Sequence, residues 1–135
     1  MSGGDSGAKG NKGGDGPRST PAFDSGNIYV LDSDLGLFCL DAKAGKEIWK
    51  HDLIKEFNGR NIKWNNAASP LVHGDHVFVA GGGPDESLLA FDKKTGKLAW
   101  KSGDHVITHA TPIATTIHGV QQIIFFVKDG LVSVV

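Results

Sequence analysis

The sequence predicts an all-β repeat fold, and three observations carry that prediction. The first is an internal copy. Leu37-Phe38-Cys39-Leu40-Asp41-Ala42-Lys43-Ala44-Gly45-Lys46-Glu47-Ile48-Trp49 returns as Leu88-Leu89-Ala90-Phe91-Asp92-Lys93-Lys94-Thr95-Gly96-Lys97-Leu98-Ala99-Trp100. Asp41 and Asp92, Gly45 and Gly96, and Trp49 and Trp100 are all 51 positions apart (92−41, 96−45, 100−49). A fixed offset across three chemically distinct residues marks a repeat. The second observation is composition: 19 glycines punctuate short runs of aromatic and β-branched residues, which suits strands joined by tight turns. The third is that Ile28-Tyr29-Val30-Leu31 and Leu37-Phe38-Cys39-Leu40 do not alternate with polar residues. Strands of this kind are covered on both faces.

The chemistry of the repeat unit is readable. A short apolar strand runs into Asp, whose side chain bonds the backbone two residues on. Gly ends the turn because it takes positive φ without steric cost. The following strand ends on Trp, a large apolar ring suited to wedging between neighbouring units. Asp41, Gly45, Trp49, Asp92, Gly96 and Trp100 are therefore structural residues.

In chain order, residues 1–16 are Gly-rich, with no apolar periodicity. They read as a flexible segment rather than a phosphate cradle, which needs a strand before it and a helix after it. The first unit spans 17–50. Its strands are Ser19-Thr20-Pro21-Ala22-Phe23, 28–31, 37–40 and 47–50, with turns at 24–27 and 32–36. A link, 51–67, follows. In it Asp52-Leu53-Ile54-Lys55-Glu56-Phe57 forms one helical turn N-capped by Asp52. The second unit is 68–101, with strands at 68–72, 76–80, 87–91 and 97–101. A third, at 108–135, has strands from 110, at 122–127 and at 131–135. Four short strands per unit make a propeller blade. The predicted fold is thus a partial β-propeller: two complete four-stranded antiparallel blades plus most of a third.

The repeat resembles that of pyrroloquinoline-quinone (PQQ)-like β-propellers, which read roughly apolar-apolar-Ala-Leu-Asp-x-x-Thr-Gly-Lys-x-x-Trp. The resemblance covers about 17–135. Gly14-Asp15-Gly16-Pro17-Arg18-Ser19-Thr20-Pro21 and the link from Trp64 to Pro70 look like a bacterial subfamily of PQQ-binding-like repeat proteins. The wider family includes quinoprotein alcohol dehydrogenases and an outer-membrane protein assembly lipoprotein. The resemblance therefore implies fold more firmly than function. It also implies a chain that is a fragment of a longer product, or that needs a partner, and an exported, periplasmic setting.

In such a fold the first strand of each blade lies nearest the central channel. That places Arg18, Ser19, Thr20, Lys63, Trp64, Asn65, Asn66, Ser69, His109 and Thr111 at the channel mouth. Arg18 and Lys63 could bind a small anionic ligand there; the weightier reading is solvated loop charge. Asn65 and Asn66 are expected to bond their own loop. Asp32-Ser33-Asp34-Leu35-Gly36 is a hairpin turn rather than a calcium loop, because no Glu follows at the required spacing. His73, His76, His105 and His109 lack further zinc ligands beside them, and no metal site is expected. Gly81-Gly82-Gly83 is a turn.

Composition narrows the function. The net charge of −1, from 14 basic and 15 acidic residues, gives no footprint for nucleic acid. No apolar run approaches the roughly 18 residues of a membrane helix. Cys39 is the only cysteine, so no intrachain disulfide forms. Two functions fit. The leading expectation is a non-catalytic binding or assembly scaffold with no cofactor, partnered by remaining blades or another protein, with a small ligand in the channel as a further option. The alternative is a piece of a PQQ-dependent alcohol dehydrogenase, in which PQQ sits over Ca²⁺. The resemblance then implies a vicinal cysteine pair and carboxylate or Asn calcium ligands, and a chain with one cysteine departs from that pattern.

Overall fold

The computed structural model describes residues 18–135, so the Gly-rich segment 1–16 lies outside the described residues. Three antiparallel sheets follow one another along the chain. The first holds β1 (Ala22–Asp24), β2 (Asn27–Leu31), β3 (Gly36–Asp41) and β4 (Glu47–Asp52), paired in sequence order. A single helical turn, α1 (Leu53–Glu56), comes next. The second sheet repeats the order with β5 (Leu71–His73), β6 (His76–Ala80), β7 (Leu88–Asp92) and β8 (Leu98–Ser102). The third has β9 (Ile113–Ile117), β10 (Val120–Val127) and β11 (Gly130–Val134). These are the meanders the sequence predicts.

The copies match to the level of register. Cys39 pairs with Trp49 and Ala90 with Trp100; in each blade one residue is then skipped, so that Leu40 meets Glu47 and Phe91 meets Leu98. The extra residue, Ile48 or Ala99, is a β-bulge beside the Trp, a device that re-aims a strand's side chains. The repeated turns are built alike. Asp41 Oδ1 accepts from the amides of Lys43 and Ala44, and Asp92 Oδ1 from those of Lys94 and Thr95. The amides of Gly45 and Gly96 close each turn on the Asp carbonyl, with φ of 68° and 72°. The bonds donated by Thr95 are the main reason the Asp92 carboxyl titrates below its ordinary range.

Three predicted strand starts are displaced. Residues 19–21, 68–70 and 110–112 are not ladder-paired, and β1, β5 and β9 begin at Ala22, Leu71 and Ile113. Proline is the reason. Pro21, Pro70 and Pro112 have no N–H to give a ladder, and the residues before Pro21 and Pro70 turn their amides to a neighbouring blade instead. The predicted helical turn is present: Asp52 caps it by accepting from the Lys55 amide at 3.1 Å. Asp32 Oδ1 accepts from the amides of Asp34 and Gly36, which makes 32–36 the expected hairpin turn.

The core lies between blades. Tyr29, Leu31, Leu37, Cys39 and Trp49 of the first blade share one buried cluster with Val77, Val79, Leu89 and Phe91 of the second. Ile123, Phe125 and Val127 alternate inward along β10 and join the same cluster. β7 is buried at every residue but its last, as a strand sandwiched between two blades must be.

Candidate functional site

The segments leading into β1, β5 and β9 bring Thr20, Ser69 and Thr111 side by side. The Thr20 amide donates to Ser69 Oγ at 2.8 Å, and the Ser69 amide donates to Thr111 Oγ1 at 2.9 Å. Each of the three residues stands immediately before a proline: Thr20-Pro21, Ser69-Pro70 and Thr111-Pro112. The residue before proline is held extended, so its amide points sideways and not into its own ladder. The result is a belt running blade to blade, with one amide-to-hydroxyl bond per joint.

The link between the first two blades, which carries the residues expected at a channel mouth, runs into this belt at Ser69. Trp64 and Asn65 both take left-handed backbone, with φ of 76° and 60°. For non-glycine residues this costs on the order of 1–3 kcal/mol each, so neighbours must hold them. His109 Nε2 lies 3.1 Å from the Asn65 carbonyl and so bridges the third blade's entry to this link. Asn66 is buried and fully employed: its amide nitrogen donates to the carbonyls of Asp32 and Ala68, and its Oδ1 accepts from the Ala68 amide. Its two bonds with Ala68 are the expected own-loop ones, whereas the bond to Asp32 and that of its main-chain amide to the Ser33 carbonyl pin the link to the hairpin of the first blade. Lys63 lies over the half-exposed Trp64 ring, 5.6 Å from the centroid. Arg18 and Lys63 are exposed, and among the described residues neither forms an ion pair. The structure thus gathers Trp64, Asn65 and His109, buries Asn66 in support of the link, and leaves Arg18 and Lys63 at the solvent edge.

A second constellation, in the seam between the first two blades, is not visible as a motif of side chains. The Lys93 carbonyl accepts from both Tyr29 Oη, at 3.0 Å, and Trp49 Nε1, at 3.1 Å. The Lys93 ammonium meets Asp24 Oδ2 at 2.8 Å, and that pairing is the chief reason the Asp24 carboxyl titrates low. The Gly96 carbonyl accepts from His51 Nε2 at 2.6 Å, while His51 Nδ1 lies 3.0 Å from Glu56 Oε1. The His51 ring stacks on Phe91 with centroids 4.5 Å apart. Gly96 itself lies against the Trp49 indole, so close that a Cβ there would come within 2.7 Å of the ring. The turn of the second blade is thereby seated on the Trp of the first. The only sequence signal for this was the repeat spacing, because the receiving atoms are main-chain carbonyls.

A calcium-bound quinone would need six to eight oxygen ligands around the ion. Among the described residues no group of three or more His, Cys, Asp or Glu side chains is placed to hold a metal. The Asp32 carboxylate is turned into its own hairpin, the Asn66 amide is spent on its loop, and the Ser69 and Thr111 hydroxyls already accept amides. The described residues do not fit that group.

Three antiparallel meanders in succession, the first two locked by Trp49 seated on the turn of the second, define a β-propeller segment. The family model described as outer membrane protein assembly factor BamB matches residues 4–135, and the chain belongs to this family of PQQ-repeat β-propellers. Quinoprotein ethanol dehydrogenase of Pseudomonas aeruginosa is 36% identical over 119 residues, which is 85% of this chain and 17% of that protein. 1-Butanol dehydrogenase (quinone) of Thauera butanivorans is 33% identical over 61% of this chain and 13% of its own. The chain thus spans less than a fifth of the length of these relatives. Among solved structures, quinohemoprotein alcohol dehydrogenase from Comamonas testosteroni superposes with a TM-score of 0.58 at 25% identity, over 82% of this chain and 17% of that one. BamB from Moraxella catarrhalis gives a TM-score of 0.58 at 17% identity, over 87% and 32%; that likeness is one of fold.

Proposed function

We propose that this chain is a scaffold segment of a propeller of the quinoprotein alcohol dehydrogenase type, supplying blades and inner channel wall. The observation that carries this is the 36% identity to a quinoprotein ethanol dehydrogenase across 85% of the chain. The residue-level reading ranks a non-catalytic scaffold first. The relatives favour the dehydrogenase lineage, and the two readings meet once the work of these particular residues is separated from that of the whole protein. Thr20, Ser69 and Thr111 tie inner strands together, and Tyr29, Trp49 and Lys93 lock blades. On this reading redox chemistry and its cofactor belong to residues other than these, in an exported protein. Arg18, Lys63 and Trp64 stay candidates for an anionic ligand at the mouth.

The test is titration of the purified chain with PQQ and Ca²⁺, following tryptophan fluorescence and alcohol-dependent dye reduction. The scaffold role predicts no dye reduction. Saturable quenching accompanied by dye reduction would place the cofactor site within these blades and overturn it. Quenching without turnover that is lost in Lys63→Ala would instead identify the mouth as an anion site.

A further inference from the structure

The seam between the first two blades holds one ring whose neutral form does not suit it. His51 Nε2 lies 2.6 Å from the Gly96 carbonyl of the second blade, and His51 Nδ1 lies 3.0 Å from Glu56 Oε1 on α1. A main-chain carbonyl and a carboxylate only accept hydrogen bonds, whereas a neutral imidazole has one N–H and one bare nitrogen. With a neutral ring, one of the two contacts would set a lone pair against an oxygen. Only the imidazolium, with an N–H on each nitrogen, donates to both. The proton between Nδ1 and Oε1 rests on the ring, because imidazole is a stronger base than carboxylate.

The ring has little room to turn away. It stacks on Phe91 at 4.5 Å, meets Phe57 edge-on at 6.0 Å, and lies 5.8 Å from the Trp49 ring, all between centroids. Its own residue is held opposite Leu37 in the ladder. The two acceptors differ in freedom. The Gly96 carbonyl belongs to a turn that its own amide closes and that is pressed on Trp49. The Glu56 side chain is 46% exposed, against 18% for His51. Its other oxygen, Oε2, accepts from the Asp52 amide at 2.6 Å, at the N-cap of α1. Of the two partners, Glu56 is the one that can leave. The charges nearby are mostly acidic. Asp32 and Asp34 of the hairpin, Glu47 and Asp52 of β4, and Glu56 line the cavity that His51 lines, against Lys50 and Lys55. Both lysines are paired, with Glu47 and Asp52. From the second blade, Asp92 is spent on its turn amides, Lys93 is tied to Asp24, and Lys94 and Lys97 are exposed.

We infer that His51 is a proton-dependent latch that ties α1 to the first seam, closed as the imidazolium and open at Glu56 once Nδ1 has lost its proton. Loss of that proton leaves a bare Nδ1 facing Glu56 Oε1. The carboxylate then swings to solvent and drops the Asp52 amide, while Nε2 keeps its bond to the Gly96 carbonyl. The blades stay joined through Tyr29 and Trp49 on the Lys93 carbonyl. What loosens is α1, where the link to the second blade begins. The latch is closed on the acid side and open on the alkaline side of the range in which imidazole changes charge, about pH 5 to 8. Its bonding groups all lie between residues 51 and 96. It works alike in a scaffold and in a dehydrogenase propeller.

The test is NMR of the ¹⁵N-labelled chain from about pH 5 to 8, the span in which imidazole titrates. At the acid end both His51 ring nitrogens should carry a proton. At the alkaline end Nδ1 alone should have lost it. The amide signals of Asp52 and Phe57, at the two ends of α1, should shift with the same midpoint. Glu56→Gln sharpens the test, because a carboxamide can donate to a bare Nδ1 as well as accept from Nδ1–H. In that variant the ring still titrates, and the α1 amides should lose most of their pH-dependent shift. A ring whose protonation does not change across the range overturns the inference, as does one that gives up the Nε2 proton and keeps that on Nδ1. So do α1 amides that stay still through the His51 transition, or that move as far in Glu56→Gln as in the wild type. Should the variant fail to fold, the ring nitrogens and α1 amides of the wild-type chain decide the matter alone.

Discussion

The seam between the first and second blades and that between the second and third start from the same repeat and end differently. In the first, Trp49 is 9% exposed, its Nε1 is bonded to the Lys93 carbonyl, and its ring is pressed on Gly96. In the second, Trp100 holds the same ladder position but lines an open cavity of about 320 Å³ with Phe78, Ala90, Ile123 and Val134. The second seam relies on the Ser69–Thr111 bond, while the Lys128 amide reaching the Val106 carbonyl and Thr108 bonding the Phe126 carbonyl only tie the entry segment to its own third blade. The comparison shows that a tryptophan in the motif does not make a joint alone. Its energy is realised only where an Asp-x-x-x-Gly turn of the next blade receives it.

The sharpest way to break this contrast is to truncate both rings. Trp49→Ala should lose about 3–5 kcal/mol, the usual range for a buried large aromatic. Trp100→Ala should lose less than about half of that, because its ring is only partly removed from water. Urea midpoints of the two variants measured side by side check the difference, and equal losses would mean that the open cavity is closed in solution.

Next in size is the glycine pair. Gly96→Ala meets both a positive φ and the Trp49 ring, whereas a Cβ at Gly45 would meet nothing within 4 Å. We expect a loss of about 2–3 kcal/mol for Gly96→Ala, overpacking and backbone strain together. Gly45→Ala should lose about 1 kcal/mol from φ alone. Thermal melts of the two proteins decide it.

Ser69→Ala removes an acceptor from one joint of the belt and should lose no more than about 1 kcal/mol, the net worth of one exposed hydrogen bond. Faster exchange of the Thr20 amide, seen by NMR, is the specific readout. A global rise in exchange would show that Ser69 does more than bridge.

The smallest effect concerns Asp24. Lys93 lowers its folded-state carboxyl below the ordinary range. The linked stability is therefore present above the unfolded carboxylate value of about 4 and is lost as the pH falls through the lowered folded value. Asp24→Asn should flatten the acid side of the stability curve below about pH 4 and leave the neutral side little changed. A wild-type acid limb identical to that of the variant would remove the ion pair from the account of this seam.

Much of the fold was legible because periodicity and turn chemistry are local. The 51-residue offset, the Asp52 cap and the 32–36 turn all follow from residue types and their spacing. The starts of the inner strands were misplaced because Thr20 and Ser69 look like strand residues, while the prolines after them divert their amides to another blade. The mouth was legible in part. The type of Asn66 points to its bonds with Ala68 but not to those with Asp32 and Ser33 of the first blade, and His109 is expected near the link. That His109 would meet Asn65 depends on how far the blades rotate about one another, which no local pattern encodes. His51 escaped notice because nothing in its neighbours marks a ring stacked on a residue forty positions later.

The Lys93 carbonyl, which takes both Tyr29 and Trp49, has one more consequence. Both of its lone pairs are engaged, and they belong to the main chain, so no side-chain replacement at position 93 can abolish the acceptor. What the joint reads is the path of the backbone from Asp92 to Gly96, which the Asp92 carboxylate and the missing Cβ of Gly96 fix and the residues between them do not. Such a joint tolerates many point substitutions in its turn and very few changes of length. An inserted or deleted residue would swing the carbonyl out of reach of two donors at once. A repeat family built this way can diverge widely in composition at its turns while its turn length stays nearly fixed.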